Sequence, residues 1–158
     1  MKRSGFTMIE LVFVIVVLGI LAAVAIPRLG SNMEHAQVAK AQGDVAAIRS
    51  SVASARQKML VTGTNAYPTK LDHQAATSSD GDPLFDNNGT ASTLILTYPI
   101  YSRDDSGHWR KTANDTYRFK VIDTDVIFGY TSGTGIFDCH GLNGTTGDAF
   151  DYCKRITE

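Results

Sequence analysis

Cysteine, net charge and the usual hydrolase signatures are all scarce in this sequence. Of 158 residues only two are cysteine, Cys139 and Cys153. Neither sits in a C-x-x-C pair or beside other ligands, so the common signs of a zinc or thiol-redox centre are absent. Fifteen basic residues meet sixteen acidic ones, for a formal net charge of −1. A chain so balanced has no basic field to draw in nucleic acid, and none is expected as a partner. No G-x-S-x-G, H-E-x-x-H or Cys-His context occurs, and His35, His73, His108 and His140 show no ligand spacing. The chain is therefore read as a non-enzyme with no resident cofactor. Charge is also missing locally: no residue between positions 11 and 26 carries any.

That uncharged run dominates the first part of the chain. Lys2 and Arg3 precede it and Arg28 follows, which weakly places the N-terminus on the cytoplasmic side of a membrane. Residues 6–26 are long enough to cross a bilayer core as a helix, which needs about 20 residues. Glu10 is the defect in this run, because an ionised carboxylate in a bilayer costs about 2.5–3.5 kcal/mol at mid-depth and less near the surface. With no partner in its own segment, it requires one from elsewhere. Pro27 ends the run, since proline removes a helical hydrogen bond and kinks or breaks the helix. Beyond it Val38, Ala41, Val45, Ile48, Val52, Ala55 and Met59 recur at alternating spacings of three and four, one narrow apolar stripe. Residues 33–60 thus read as an amphipathic helix about 40 Å long, with Gly63 as a stop. The small residues at 41 and 55 favour packing on the chain's own sheet; a two-stranded coiled coil is the alternative.

The rest is turn- and strand-like. Residues 61–92 read as a loop-rich connection. Strands are expected at 93–98, 108–112, 116–122, 125–131 and 136–139, with a tight turn at Asp123-Thr124. Tyr117, Phe119 and Val121 alternate with Arg118 and Lys120, so one sheet face is buried, and the strands at 116–131 are the expected core. A loop then returns to Tyr152 and Cys153. Trp109 is expected in the core rather than as a surface anchor. If the chain leaves the cytoplasm, Cys139 and Cys153 are a disulfide candidate.

The run Lys2-Arg3-Ser4-Gly5-Phe6-Thr7-Met8-Ile9-Glu10, continued by Gly19 and Ala22-Ala23-Val24-Ala25-Ile26-Pro27, resembles the N-terminus of type IV pilins and type II secretion pseudopilins. The likeness is close over about the first thirty residues. The resemblance implies an α+β, pilin-like fold: a long N-terminal helix packed by its C-terminal half on a small antiparallel sheet. It implies a leader at 1–5, a membrane and filament-core half-helix at 6–27, an amphipathic half-helix at 28–60 and a globular head at 61–158. Gly5 would precede the bond cut by a prepilin peptidase, and Phe6 would become the N-methylated terminus. Losing residues 1–5 removes two positive charges, taking the formal net from −1 to −3. Glu10 would then pair with the Phe6 ammonium of a neighbouring subunit. Gly19 and Pro27 would be helix breaks, between which the helix loosens on assembly.

The implied partners are copies of itself and related pilins, the peptidase, an inner-membrane assembly platform and membrane lipid. The implied location is the inner membrane, single-pass with a periplasmic head, and then a periplasmic or extracellular filament. Cys139 and Cys153 resemble the C-terminal disulfide loop of type IV pilins, worth roughly 3 kcal/mol for about 15 enclosed residues; two free buried thiols are the alternative. The rival reading of the N-terminus is an ordinary signal peptide cut after Ala23-Val24-Ala25, giving a secreted or periplasmic soluble protein. Asp80, Asp82 and Asp86 offer oxygens that suit calcium, but Leu84 interrupts them and no bidentate Glu follows, so a solvated turn is the preferred reading. Asn88 lies in a sequon-like Asp86-Asn-Asn-Gly-Thr run and is a weak glycosylation candidate.

Overall fold

The structure, a computed structural model, describes residues 5–73, 76–86 and 95–158. It divides into two compact units, Met1–His35 and Ala36–Glu158, a division that falls inside the segment read as 28–60. One helix, α1 (Met8–Val61), runs through both.

In the first unit Thr7 starts the helix: its Oγ1 accepts the Glu10 N–H at 3.3 Å and its carbonyl accepts the Leu11 N–H at 3.2 Å, which satisfies donors that a helix start leaves open. Met8–Ile26, 19 residues, is apolar on every side, none of it is buried, and it is long enough to cross a membrane. In the single chain α1 continues through Gly19 and Pro27; the loosening expected between them concerns the assembled filament. A glycine costs a helix interior about 1 kcal/mol and a proline about 3 kcal/mol, penalties that long flanking helical segments can absorb.

In the second unit the stripe is as expected. Val38, Ala41, Val45, Ile48, Val52 and Ala55 are buried, and Met59 is half-buried. The helix ends in a Schellman turn: Gly63 takes φ +85°, Gly63 N–H reaches Leu60 O at 3.0 Å and Thr64 N–H reaches Met59 O at 2.8 Å.

The main sheet is antiparallel with strand order β3-β4-β5-β6: β3 (Trp109–Ala113), β4 (Thr116–Val121), β5 (Thr124–Thr131) and β6 (Ile136–Asp138). Trp109, Tyr117, Phe119, Val121, Val126, Phe128, Tyr130 and Phe137 are buried in one cluster with the helix stripe. Trp109 is thus a core residue. A second, two-stranded sheet joins β1 (Pro83–Leu84) to β2 (Ile100–Tyr101).

Three expectations are corrected. Residues 95–98 are not a strand, and 93–94 lie outside the described residues. Leu96 N–H makes one bond across to Phe85 O at 2.9 Å, but Pro99 has no N–H with which to extend a ladder, and pairing resumes only at Ile100. The β4–β5 turn is Ile122-Asp123 rather than Asp123-Thr124, because Val121 pairs with Thr124. Its first residue needs positive φ, and Ile122 takes φ 53°, rare for a β-branched side chain. Gln37 on α1 secures it, its Oε1 accepting the Ile122 N–H at 2.8 Å and the Ser106 hydroxyl at 3.1 Å. Finally, Tyr152 and Cys153 lie on a helix, α2 (Asp148–Thr157), not in a returning loop. Asp148 and Asp151 in its first turn and Lys154 and Arg155 in its last suit the helix dipole.

Candidate functional site

The processing-and-assembly segment begins before α1. Gly5 is in open surroundings: nothing lies within 4 Å of where a side chain would start. Phe6 follows, 80% exposed, and Thr7 opens the helix whose first turn carries Glu10. Lys2, Arg3 and Ser4 lie outside the described residues. Among the described residues no cation pairs with the Glu10 carboxylate, which sits exposed at the head of a fully exposed apolar helix. Among the described residues the segment offers an accessible Gly5–Phe6 bond, an apolar surface with no cover, and one negative charge without a counterion.

The head is held to α1 by polar residues lying off the apolar stripe. Lys40 Nζ donates to Gly107 O at 2.6 Å, Arg49 Nε to Phe137 O at 2.9 Å and Arg56 Nη1 to Tyr67 Oη at 2.5 Å. Trp109 Nε1 donates to Asp44 Oδ2 at 2.9 Å. Burial pushes the Asp44 carboxyl above the usual range, against the Trp109 hydrogen bond and the Lys40 charge. Deeper in the sheet lies a pair that the sequence reading missed. Lys111 Nζ meets Asp72 Oδ1 at 2.6 Å and the Tyr117 hydroxyl donates to Asp72 Oδ2 at 2.6 Å, all three residues being buried. Burial, then the Asp72 charge and hydrogen bond, keep the Tyr117 phenol protonated and so able to donate. Lys111 faces inward two positions after Trp109, and that strand alternation was its only sequence signal.

Cys139 and Cys153 are joined, with an S–S distance of 2.02 Å, tying the end of β6 to α2. The two sulfurs and the nearby His140 make the one close grouping of metal-type ligands among the described residues, and a disulfide leaves no thiolate to bind an ion. The candidate calcium ligands each have a protein partner: Asp80 the Arg110 guanidinium at 3.1 Å, Asp82 the Ser79 N–H at 2.7 Å and Asp86 the His73 imidazole at 2.7 Å. Leu84 between them is buried in the core. His108 and His140 hydrogen-bond locally, to Ser106 O and the Asp138 carboxylate. Asn88 lies outside the described residues.

With this geometry in place, the comparisons with known proteins converge. Residues 1–26 match the model of the prokaryotic N-terminal methylation motif. The chain is similar to the type IV narrow pilus major component PilA5 of Thermus thermophilus, 32% identical over 103 residues, covering 61% of this chain and 89% of that protein. It is similar to the type IV major fimbrial protein FimA of Dichelobacter nodosus, 27% identical over 111 residues, covering 67% and 68%. It is also similar to the type II secretion system core protein G of Pseudomonas aeruginosa, 49% identical over 47 residues, covering 30% of this chain and only 33% of that protein. No solved structure gives a significant match.

Proposed function

The chain belongs to the family of type IV pilins and type II secretion pseudopilins, and from that membership we propose that it is a structural filament subunit stored in the inner membrane, cut at Gly5–Phe6, methylated on Phe6 and assembled through Glu10. One observation carries the reading: a carboxylate with no cation among the described residues, at the head of a 19-residue apolar helix with none of its surface buried. The apolar surface is unfavourable in water and the unpaired charge is unfavourable in an apolar surrounding, and each has a remedy in a second copy of the chain. Helices packed side by side cover the apolar surface. The ammonium that cleavage creates on Phe6 neutralises Glu10 of a neighbour. Lipid solvates the helix until then, with the Lys2-Arg3 side cytoplasmic and the head periplasmic.

Between the two machines, the extent of similarity favours a pilus. Likeness to the core protein G of Pseudomonas aeruginosa covers a third of that protein, whereas likeness to PilA5 covers most of it. The C-terminal disulfide supports the same side.

The test is the Glu10→Ala substitution in the full chain, with its assembly system present. N-terminal sequencing should find Phe6 first in wild type and variant alike. Sheared filaments should lose the variant almost entirely, as removing one member of a buried ion pair costs about 3–5 kcal/mol. Wild-type incorporation of the variant, or a mature chain starting at Ile26, would overturn the reading.

A further inference from the structure

We propose that Asn143 is a self-modifying site: its side-chain amide clasps the C-terminal loop onto β5, and loss of that amide as ammonia, through attack by the Gly144 backbone nitrogen, converts the clasp into a carboxylate that releases the loop. It needs no second copy of the chain.

The clasp begins where a strand ends. β6 pairs with Gly129, Tyr130 and Thr131 of β5, and among the described residues no strand continues that side of the sheet towards Thr124. Ile127 lies two residues before Gly129, so the backbone groups of both face the same side. Asn143 takes up those of Ile127. Its Oδ1 accepts the Ile127 N–H at 2.7 Å, and its Nδ2 donates to Ile127 O at 2.9 Å and to Cys139 O at 3.0 Å. One side-chain amide thus supplies the acceptor and the donor that a longer β6 would have supplied, and closes an open edge. Leu142 seats the loop beside it, lying across Gly129, where a side chain would start 3.0 Å from Leu142 Cδ1.

The reacting partner is the next residue. Gly144 has φ +74° and no Cβ to hinder its nitrogen. In the reaction the Gly144 nitrogen bonds to Asn143 Cγ and the Cγ–Nδ2 bond breaks. Nδ2 leaves as ammonia, taking the Gly144 N–H proton. Water then opens the cyclic imide at one carbonyl or the other, giving aspartate or isoaspartate. The sum is amide plus water giving carboxylic acid plus ammonia. The ionised product accepts hydrogen bonds but donates none, so both bonds from Nδ2 become contacts between a negative oxygen and the carbonyls of Ile127 and Cys139. While the clasp is closed, three hydrogen bonds tie down the amide that must leave. The reaction therefore runs from the open loop, and the Cys139–Cys153 bridge, which spans that loop, slows it.

The test follows the peptide containing Asn143 by mass, in the full chain in detergent at mildly alkaline pH. A urea-unfolded sample gives the unrestrained rate, with Asn88-Gly89, the other Asn-Gly pair of the sequence, as internal standard. The native bridged chain should convert about ten- to a thousandfold more slowly than the unfolded one. Reduction of the bridge by a phosphine, with Trp109 fluorescence reporting a folded head, should speed native conversion at least about threefold. Asn143→Asp, which is one of the products, should raise hydrogen exchange of the Ile127 amide at least about tenfold. An Asn143 that stays amide in urea while Asn88 converts, or a reduced folded chain no faster than the bridged one, would overturn the site. Wild-type exchange at Ile127 in Asn143→Asp would overturn the release.

Discussion

A single helix behaves in two ways in this protein. In Met1–His35 none of the described side chains is buried, and the apolar residues of Met8–Ile26 face outward on every side. In Ala36–Glu158 the same helix keeps its apolar residues to one stripe, which is almost completely buried. The difference is one of periodicity rather than of hydrophobicity. Apolar all round, a helix needs a surrounding solvent of lipid or other helices; apolar on one stripe, it needs one wall, which the sheet supplies. Folding of the head and assembly of the filament thus use different halves of one element, and a substitution can affect either alone.

The sharpest way to break that comparison is to place the same charge in each half. Val45→Asp puts a carboxylate into the stripe, where Val45 is 2% exposed. It should cost more than about 4 kcal/mol and prevent the head from folding. Ile15→Asp falls where no side chain is buried. It should leave the urea midpoint of the head unchanged, followed through the single Trp109, while membrane retention falls. Equal loss of head stability from both would show that the two halves are not separable.

A smaller effect probes what closes the wall from the sheet side. Lys111→Met leaves the buried Asp72 carboxylate without its cation, which should cost about 3–5 kcal/mol in a denaturation series. Adding Asp72→Asn removes the stranded charge and still accepts the hydrogen bond from Tyr117, so the double variant should regain most of the loss. If the double variant is as unstable as the single, the pair is not what sets the cost.

These two cases also mark how far the sequence could be read. The stripe from Val38 to Met59, the Gly63 stop and the alternation of Tyr117, Phe119 and Val121 were legible because each is a local period set by backbone geometry. So was the N-terminal segment, whose signs all lie within thirty consecutive residues. The Lys111–Asp72 pair was not, since its members are 39 residues apart in sequence and nothing local marks a lysine for burial. The same holds for Gln37, which supports the turn at Ile122 from 85 residues away. Helix α2 was missed for another reason. It has only ten residues and just two of them, Cys153 and Ile156, are buried, while the glycines at 141, 144 and 147 and Asn143 before it gave a strong turn signal.

The finest test of the junction between helix and sheet is its pH dependence, because the pKa values of two of its carboxylates are shifted in opposite directions. Burial disfavours the charge on Asp138, but hydrogen bonds from His140 and the Cys139 N–H, with the charges of His140 and Arg49, outweigh it and hold its carboxyl below the usual range. Its stabilising contribution is therefore present above the ordinary carboxylate range and is lost as pH falls through the lowered value. Asp44 is held above the usual range by burial, so the folded head favours its protonated form. That contribution is present at low pH and is lost as pH rises through the raised value. Each effect is under about 1 kcal/mol, since both groups keep some contact with water. Urea midpoints of wild type, Asp138→Asn and Asp44→Asn, compared from about pH 7 down to about pH 3, should separate them. The advantage of wild type over Asp138→Asn should shrink as pH falls, and its standing against Asp44→Asn should improve. Gaps that move together would mean that the Trp109 bond to Asp44, rather than its desolvation, governs the charge at this junction.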